Sequence, residues 1–385
     1  MRHHFLRLAL VLGLLSAIGP FAIDMYLPSL PAIGLALHAD MHAVQLSLTV
    51  FFLSFALSQV LYGPASDMFG RKPPLYVGIA TFVAGSIGCA LAPDIVTLLA
   101  FRFVQGLGGG APNVITRAVV RDLHTGHEAT RLMSLLMLVF SVSPILAPLA
   151  GSFIVEAAGW AMVFWAVAVI GVAGLALTAL ALEETRPPAE RTHSDLASTW
   201  RAFVLLARDP HFMGMTGIGS LGVAAFFVYL SNSSFVLIGQ YGLTPRQYGL
   251  AFAVNAASFI GVSQLTGRLT ARFGLPRVVR VSVAGFALSM VAGAALHLAG
   301  ADGLATMIAL LMIGFGFLGL VIPTTSVMAL DHHGDIAGAA SALMGLVAGG
   351  GSRPMLAGIA IVALLTWLLA WLSLRGALRG VGHAA

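Results

Sequence analysis

Long apolar runs divide this chain, and most of them are long enough to cross a lipid bilayer as a helix. A spanning helix needs about 20 apolar residues to cross roughly 30 Å of hydrocarbon. Charged residues, proline and glycine separate the runs. The runs lie at 6–28, 43–64, 74–92, 95–118, 131–155, 160–182, 210–238, 247–268, 277–299, 303–329, 336–350 and 355–374. The pattern predicts an all-α polytopic membrane protein with twelve spans.

The composition excludes a soluble domain. Of the 385 residues, 58% are hydrophobic and 9% are charged, whereas soluble domains carry about 25% charged residues. The basic, apolar N-terminus imitates a secretory signal, but no soluble domain follows it, so we interpret it as an uncleaved first span. The single cysteine, Cys89, excludes an intrachain disulfide.

The distribution of basic residues predicts the orientation, because cytoplasmic loops are enriched in Lys and Arg. Of the 20 basic residues, only Arg246 and Arg353 lie in the loops on one side, and Arg102 lies within a span. The opposite side holds Arg2, Arg7, Arg71, Lys72, Arg117, Arg121, Arg131, Arg186, Arg191, Arg201, Arg208, Arg268, Arg272, Arg277, Arg280, Arg375 and Arg379. Both termini are therefore predicted to be cytoplasmic. This asymmetry explains the net charge of +5 without nucleic acid as a partner.

A polar stretch and an internal repeat divide the chain into halves. The stretch 183–209 predicts a cytoplasmic linker between two six-helix bundles, 1–182 and 210–385. The loops after the second and eighth spans share a pattern: Gly63, Phe69 and Gly70 correspond to Gly267, Phe273 and Gly274. Paired repeats with a midplane site are typical of secondary transporters.

Two charged residues lie within predicted spans, where polar groups are expensive and usually functional. Asp24 follows the first apolar run and is either a proton-binding group in a central cavity or an interfacial residue that caps a helix end. Arg102 has no acidic neighbour in its own helix. It needs a carboxylate, a substrate or the carbonyls of another span, unless it snorkels to the interface.

The loop after the second span predicts a conformational latch formed by Gly63, Asp67, Gly70 and Arg71. The glycines permit close helix approach, and Asp67 is expected to meet the N-terminus of a facing helix.

Prolines and polar residues inside spans complete the candidate site. Pro144, Pro148 and Gly151 mark a bent, closely packed fifth span. Polar and aromatic residues that could line a cavity are Tyr26, Gln59, Asn113, Tyr229, Asn232 and Asn255. We favour a solvated loop over a metal cluster for the group from Asp331 to Asp335, so no metal site is predicted. No phosphate-binding loop motif occurs; an ion gradient is the expected energy source, with no cofactor and no enzymatic activity.

Four segments resemble the major facilitator superfamily, and within it the bicyclomycin-resistance (Bcr/CflA-type) drug–proton antiporters. These are IDMYLPSLP around Asp24, GPASDMFGRKP, RFVQGLGGGAPNVITRAVVRD and SPILAPLAG, with LEETRPP at the end of the sixth span. The resemblance implies the major-facilitator fold of two six-helix bundles. It implies that Asp24 couples protons to substrate, that Arg102 takes part in the proton response, and that Asp67 and Arg71 stabilise the outward-facing state.

These features predict a multidrug exporter that exchanges amphipathic small molecules for protons. The alternatives are an exporter or facilitator of a metabolite such as a sugar or amino acid, and a non-transporting membrane scaffold. We expect a monomer in the lipid bilayer of the bacterial inner membrane, with drug-like molecules and protons as partners and no nucleic acid.

The eleventh run, 336–350, is shorter than a span and ends in Gly349, Gly350 and Gly351. Relatives continue for about another helix here. We predict a shortened helix that still crosses the membrane, because removing a crossing would move Arg375 and Arg379 outside.

Overall fold

The computed structural model describes residues 2–124, 126–188, 204–300, 303–330 and 363–368, and helices dominate these ranges. The helices are α1 (Arg2–Asp24), α2 (Leu30–Ala36), α3 (Met41–Phe69), α4 (Lys72–Ala90), α5 (Ile95–Leu123), α6 (Gly126–Ala158), α7 (Trp160–Ala181), α8 (Pro210–Ser234), α9 (Pro245–Ser263), α10 (Thr266–Phe273), α11 (Leu275–Leu298) and α12 (Leu304–Leu330). A 3₁₀ turn (Leu27–Ser29) precedes α2 and a π-helix (Phe235–Gln240) follows α8. Within the described ranges, the prediction of an all-α membrane fold is confirmed.

Eight of the described helical segments are long and apolar enough to cross a membrane, and α9 with α10 forms a ninth that bends by 41°. Each predicted run from 6–28 to 303–329 coincides with one of the observed helices or helix pairs. The runs at 336–350 and 355–374 lie outside the described residues, except for a helical stretch at 363–368. The linker residues 189–203 and the group from Asp331 to Asp335 also lie outside them.

Two spans are interrupted where the sequence pattern is continuous. The first breaks after Asp24, where Pro28 and Pro31 lack the amide hydrogens that a continuous helix requires. The second breaks between α9 and α10, where the Ser263 hydroxyl donates to the Ile260 carbonyl at 2.7 Å and the Thr266 hydroxyl donates to the Ser263 carbonyl at 2.7 Å. Such side-chain bonds compete with the helical backbone and bend helices.

The helices group into two compact units. One comprises Met1–Leu196 with Ser234–Ala253, and the other comprises Ala197–Ser233 with Val254–Ala385. In the first unit, α1 packs against α5, α6 and α7, while α5 also packs against α3 and α4. In the second unit, α11 packs against α10 and α12.

The two repeated turns have the same backbone form. Gly70 ends α3 with a φ of 90°, and Gly274 ends α10 with a φ of 79°. Only glycine adopts positive φ without strain. The glycines that defined the repeat in the sequence are therefore required by the turns themselves.

Candidate functional site

Asp24 is the last residue of α1 and is buried, with 5% of its surface exposed. The structure thus places it inside the first candidate span, at the break before the 3₁₀ turn. Among the residues that the structure describes, no hydrogen bond or ion pair reaches its carboxyl group. A buried carboxylate without a partner is costly in hydrocarbon, so this position is suited to a group that gains and loses a proton.

Gly151 fixes the backbone beside Asp24. A Cβ at Gly151 of α6 would overlap the main chain of Met25. Helix α6 therefore approaches the break in the first span as closely as a glycine permits. Pro148, one turn earlier, is buried, and its carbonyl accepts a 2.7 Å hydrogen bond from the Ser152 hydroxyl. Pro144 is half-buried on the same helix.

Arg102 of α5 is completely buried between two aromatic rings. The centre of its guanidinium lies 4.3 Å from the ring centroid of Tyr26 and 4.3 Å from that of Phe51. Its Nη1 donates to Gln105 Oε1 at 2.7 Å, and Gln105 Nε2 donates to Ser86 Oγ at 2.8 Å. The rings stabilise the buried cation through their negative faces.

Two donors of Arg102, Nε and Nη2, have no hydrogen-bond partner in the described part of the chain. No ion pair there joins Arg102 to Asp24. The two groups are instead linked through Tyr26, which follows Asp24 by two residues, stacks on Arg102 and shares a 2.7 Å hydroxyl contact with Ser47.

The charged turn, Gly63–Lys72, is held by a network centred on Arg71. The Arg71 side chain is 3% exposed and binds Asp122 with two hydrogen bonds, Nε to Oδ2 at 2.7 Å and Nη2 to Oδ1 at 2.9 Å. Its Nη1 donates to Asp67 at 2.8 Å and to Ser66 at 2.7 Å. Paired bonds of this kind are among the stronger polar contacts in proteins.

A different carboxylate meets the helix N-terminus. Glu184, after α7, accepts from the backbone amides of Arg71 at 2.8 Å and Lys72 at 3.0 Å, where α4 begins. Negative charge is favoured at this position by the helix dipole. Asp67, for which the sequence predicted such a role, pairs with Arg71 and with Arg186 at 3.1 Å.

The acidic partners outweigh burial in setting the charge of Arg71. Burial lowers the pKa of the Arg71 guanidinium. Hydrogen bonds and charges from Asp122 and Asp67 raise it by more than burial lowers it, so the pKa lies above the ordinary arginine value. Arg71 therefore stays charged throughout the physiological pH range.

The remaining predicted residues form three polar contacts, one in the first unit and two in the second. In the first unit, Asn113 donates to Gln59 at 3.1 Å and joins α5 to α3. In the second unit, Asn255 donates to the Tyr229 hydroxyl at 3.0 Å, and Asn232 donates to the Val228 carbonyl at 2.8 Å.

Tyr229 and Asn255 are almost completely buried, and the Oδ1 atom of Asn255 has no partner within the described ranges. The Tyr229 ring lies 4.8 Å from that of Phe315. This buried contact places an aromatic ring beside an amide acceptor.

Several residues that contribute to the candidate site and to the charged turn were not singled out from the sequence. Asp122 and Glu184 lie in segments that carried the family resemblance, RAVVRD and LEETRPP, but nothing local assigned them to the turn. Gln105 stands three residues after Arg102, a spacing at which helix side chains meet. Phe51 gave no signal, because one phenylalanine in an apolar run resembles any other.

A bundle of membrane-spanning helices with a buried carboxyl group, a buried arginine and an ion-paired turn defines a polytopic membrane transporter. The chain matches the Major Facilitator Superfamily over residues 12–353 and belongs to that family. It is 36% identical over 346 residues to the uncharacterized MFS-type transporter YdgK of Bacillus subtilis, covering 89% of this chain and 85% of the relative.

The chain is also 32% identical over 275 residues to the bicyclomycin resistance protein homolog of Haemophilus influenzae, covering 71% of this chain and 69% of the relative. The xylose transporter XylE of E. coli, solved in a partially occluded inward-open conformation, is structurally similar with a TM-score of 0.73. The two share 14% identity over 97% of this chain and 99% of the transporter, so this likeness concerns the fold alone. The predicted family and the predicted fold are confirmed.

Proposed function

We propose that this chain exports amphipathic small molecules, including drugs, in exchange for protons. The observation that carries the proposal is Asp24: a carboxyl group buried at 5% exposure in the first span, without an ion-pair partner among the described residues. An ionised carboxylate there is expensive unless water or a cation reaches it. Its protonation is therefore linked to what occupies the site.

In the proposed cycle, Asp24 releases its proton toward the cytoplasm and the substrate enters. When the site opens to the other side, the substrate leaves and Asp24 takes up a proton. The membrane potential contributes about 2.3 kcal/mol per elementary charge per 100 mV. The proton gradient is thus the energy source, and the proposal needs no cofactor and no catalytic chemistry.

Arg102 supplies a fixed positive charge near the path of the proton. Its guanidinium stacks on Tyr26, two residues from Asp24, and keeps two donors without a partner in the described ranges. A negative charge on Asp24, or water that bridges the two groups, satisfies those donors. We infer that this favours the deprotonated state in which the substrate is bound.

The proposed substrate class follows from a relative and from buried aromatic rings within the second unit. The Haemophilus influenzae relative is named for bicyclomycin resistance. In this chain, aromatic rings such as Tyr229 and Phe315 lie beside the amide of Asn255. Apolar rings with few polar groups are typical of sites for drug-sized ligands.

The charged turn is proposed to act as the conformational latch. Arg71 holds Asp122 of α5 and Asp67 of α3, and Glu184 holds the start of α4. The network stabilises one state of the first unit and must rearrange when α3, α4 and α5 move. We place the protein in the bacterial inner membrane as a monomer, with both termini cytoplasmic.

A resistance profile of an efflux-deficient bacterium that expresses this chain tests the substrate class. Increased resistance to bicyclomycin or to other amphipathic drugs is expected. Inverted membrane vesicles then separate the alternatives. Proton release on addition of drug supports exchange, substrate movement without a pH change indicates a metabolite facilitator or exporter, and neither signal indicates a membrane scaffold.

A further inference from the structure

An apolar groove opens beside the repeated turn of the second unit. It encloses about 310 Å³ and lies among α10, α11 and α12. Leu269 and Phe273 line it from α10, Val281 from α11 and Phe317 from α12, while Arg277 stands on its wall in the first turn of α11. The groove therefore combines an apolar floor with a cation at its rim.

Among the described residues, the positive charge around this groove has no acidic counterpart. Arg268, Arg272, Arg277 and Arg280 are exposed within thirteen residues, and residues 210–301 contain no Asp or Glu. None of the four arginines takes part in an ion pair among the described residues. Their contacts with described residues are weak. The guanidinium carbon of Arg272 lies 5.3 Å from the centroid of the Phe273 ring, and Arg280 Nε donates to the Pro276 carbonyl of its own helix at 3.4 Å.

In the corresponding turn of the first unit, the arginine is buried and paired with carboxylates. There, Arg71 is neutralised by Asp67 and Asp122 and is almost completely buried. In the repeat, the position of Asp67 is occupied by Ala271. At the same offset, Leu275 and Pro276 stand in place of Arg71 and Lys72. The second turn thus keeps the backbone form but carries its arginines at other positions, and no described carboxylate pairs with them, so they are available to an anion.

Helix α10 has the character of a helix that lies at a membrane surface. It bends away from α9 by 41°, and none of its residues is buried. Arg268 and Arg272 share one face at i, i+4 spacing, and Leu269 and Phe273 share the adjacent face. Short basic helices with an apolar face bind at the boundary between headgroups and acyl chains.

We propose that this groove binds an anionic phospholipid, with its phosphate held by Arg272 and Arg277 and an acyl chain lying against Leu269, Phe273 and Val281. Charge complementarity selects this occupant: Arg277 on the wall and the exposed Arg272 beside Phe273 attract phosphate, and the apolar walls fit a chain. Basic pockets between membrane helices are known to bind anionic headgroups in this way. The site is distinct from Asp24 and Arg102 and does not depend on the transported substrate.

Lipid binding to the purified full-length chain tests the proposal. Phosphatidylglycerol and phosphatidylcholine with identical acyl chains are titrated into delipidated protein, and bound lipid is counted by native mass spectrometry. We expect phosphatidylglycerol to bind at least tenfold more tightly. The double variant Arg272→Gln/Arg277→Gln should remove most of this preference, whereas Arg7→Gln/Arg121→Gln, which removes two exposed arginines from the first unit, should keep it.

A second pair of variants tests the groove itself. Val281→Trp should fill it and weaken both lipids severalfold, while Leu288→Trp, two turns further along the same face of α11, should not. Equal binding of the two lipids to the wild type overturns the proposal, as does an unchanged preference in Arg272→Gln/Arg277→Gln. Absence of retained lipid also overturns it and indicates that other residues of this chain fill the groove.

Discussion

Arg102 lies between two aromatic rings and has no carboxylate partner among the described residues. This placement determines what its neighbours are expected to contribute. Ring faces stabilise a buried guanidinium in addition to its hydrogen bonds. Tyr26 supplies one face and also a hydroxyl that contacts Ser47. The two roles can be separated by substitution.

Tyr26→Phe keeps the ring and removes the hydroxyl, so it should destabilise the protein by about 1 kcal/mol and leave transport largely intact. Tyr26→Leu removes the ring and should destabilise the protein by roughly 2 kcal/mol more, since a desolvated cation–π contact is lost. We expect this variant to lose most of its transport activity. Thermal unfolding in detergent and drug efflux by cells measure the two effects. Equal behaviour of the two variants would show that the ring does not hold Arg102.

At this scale the sequence identified the charged groups but not their surroundings. Asp24 and Arg102 could be singled out because charge within an apolar run is rare. Tyr26 was predicted as a cavity residue, and the structure shows that its ring packs on Arg102. Such contacts depend on how helices rotate against one another, and apolar runs without a strong polar face do not specify that rotation.

The position of Asp24 depends on the close contact between Gly151 of α6 and the main chain of Met25. Gly151→Ala places a methyl group against the main chain of Met25, so we expect a loss of about 1–3 kcal/mol and impaired transport. Gly261→Ala, in α9, meets open space and should be neutral or stabilising by about 0.5–1 kcal/mol. Thermal unfolding of both variants checks this, and a Gly151→Ala protein as stable and active as the wild type would contradict it.

The stability of the charged turn is expected to depend on Glu184 as much as on Arg71. Glu184→Gln weakens the bonds to the start of α4 and should destabilise the protein by about 1–3 kcal/mol. Glu128→Gln, which affects an exposed contact with His124 and an exposed charge in the first turn of α6, should change stability by less than about 0.5 kcal/mol. Equal losses of stability in Glu184→Gln and Glu128→Gln, measured by thermal unfolding, would exclude a special role for Glu184.

The pH dependence of this turn follows from the raised pKa of Arg71. A basic group with a raised pKa contributes its full stabilisation at every pH below the ordinary arginine pKa and loses it only at higher pH. Unfolding measured between pH 7 and pH 9 should therefore show no loss from Arg71, whereas Arg71→Gln should be less stable across that whole range.

Helix positions were largely predictable from the sequence, but helix interruptions were not. Every predicted span within the described ranges has its helix, because hydrophobic length is a strong signal. The breaks after Asp24 and between α9 and α10 depend on prolines and on side-chain bonds to the backbone, which alter geometry without changing hydropathy.

At the scale of the whole molecule, the predicted orientation remains to be tested. A cysteine introduced at Ser194 should react with a membrane-impermeant thiol reagent only after cells are opened, because the Lys and Arg bias places the linker in the cytoplasm. The native Cys89 is completely buried and gives little background. Labelling of Ser194→Cys from outside intact cells would overturn the orientation.

The division of the chain at 183–209 was predicted from a polar stretch and a repeat of three residues and stays a prediction. The partners of the charged turn were not predictable from the sequence. Gly70 and Gly274 are fixed by local backbone form, so a short pattern was enough to reveal them. Asp122 and Glu184 approach Arg71 from 51 and 113 residues away. Contacts over such separations depend on the packed bundle, and a single sequence does not contain them.

Drug-induced proton release in inverted membrane vesicles shows whether Asp24 couples proton movement to drug export. Vesicles with an acidified interior are prepared from cells that express the wild type, Asp24→Asn or Asp24→Glu in matched amounts, and bicyclomycin or another drug from the resistance profile is added. The account predicts that the drug releases protons from wild-type vesicles, that Asp24→Glu retains part of this response because it still titrates, and that Asp24→Asn gives none. Undiminished release from Asp24→Asn vesicles would contradict it.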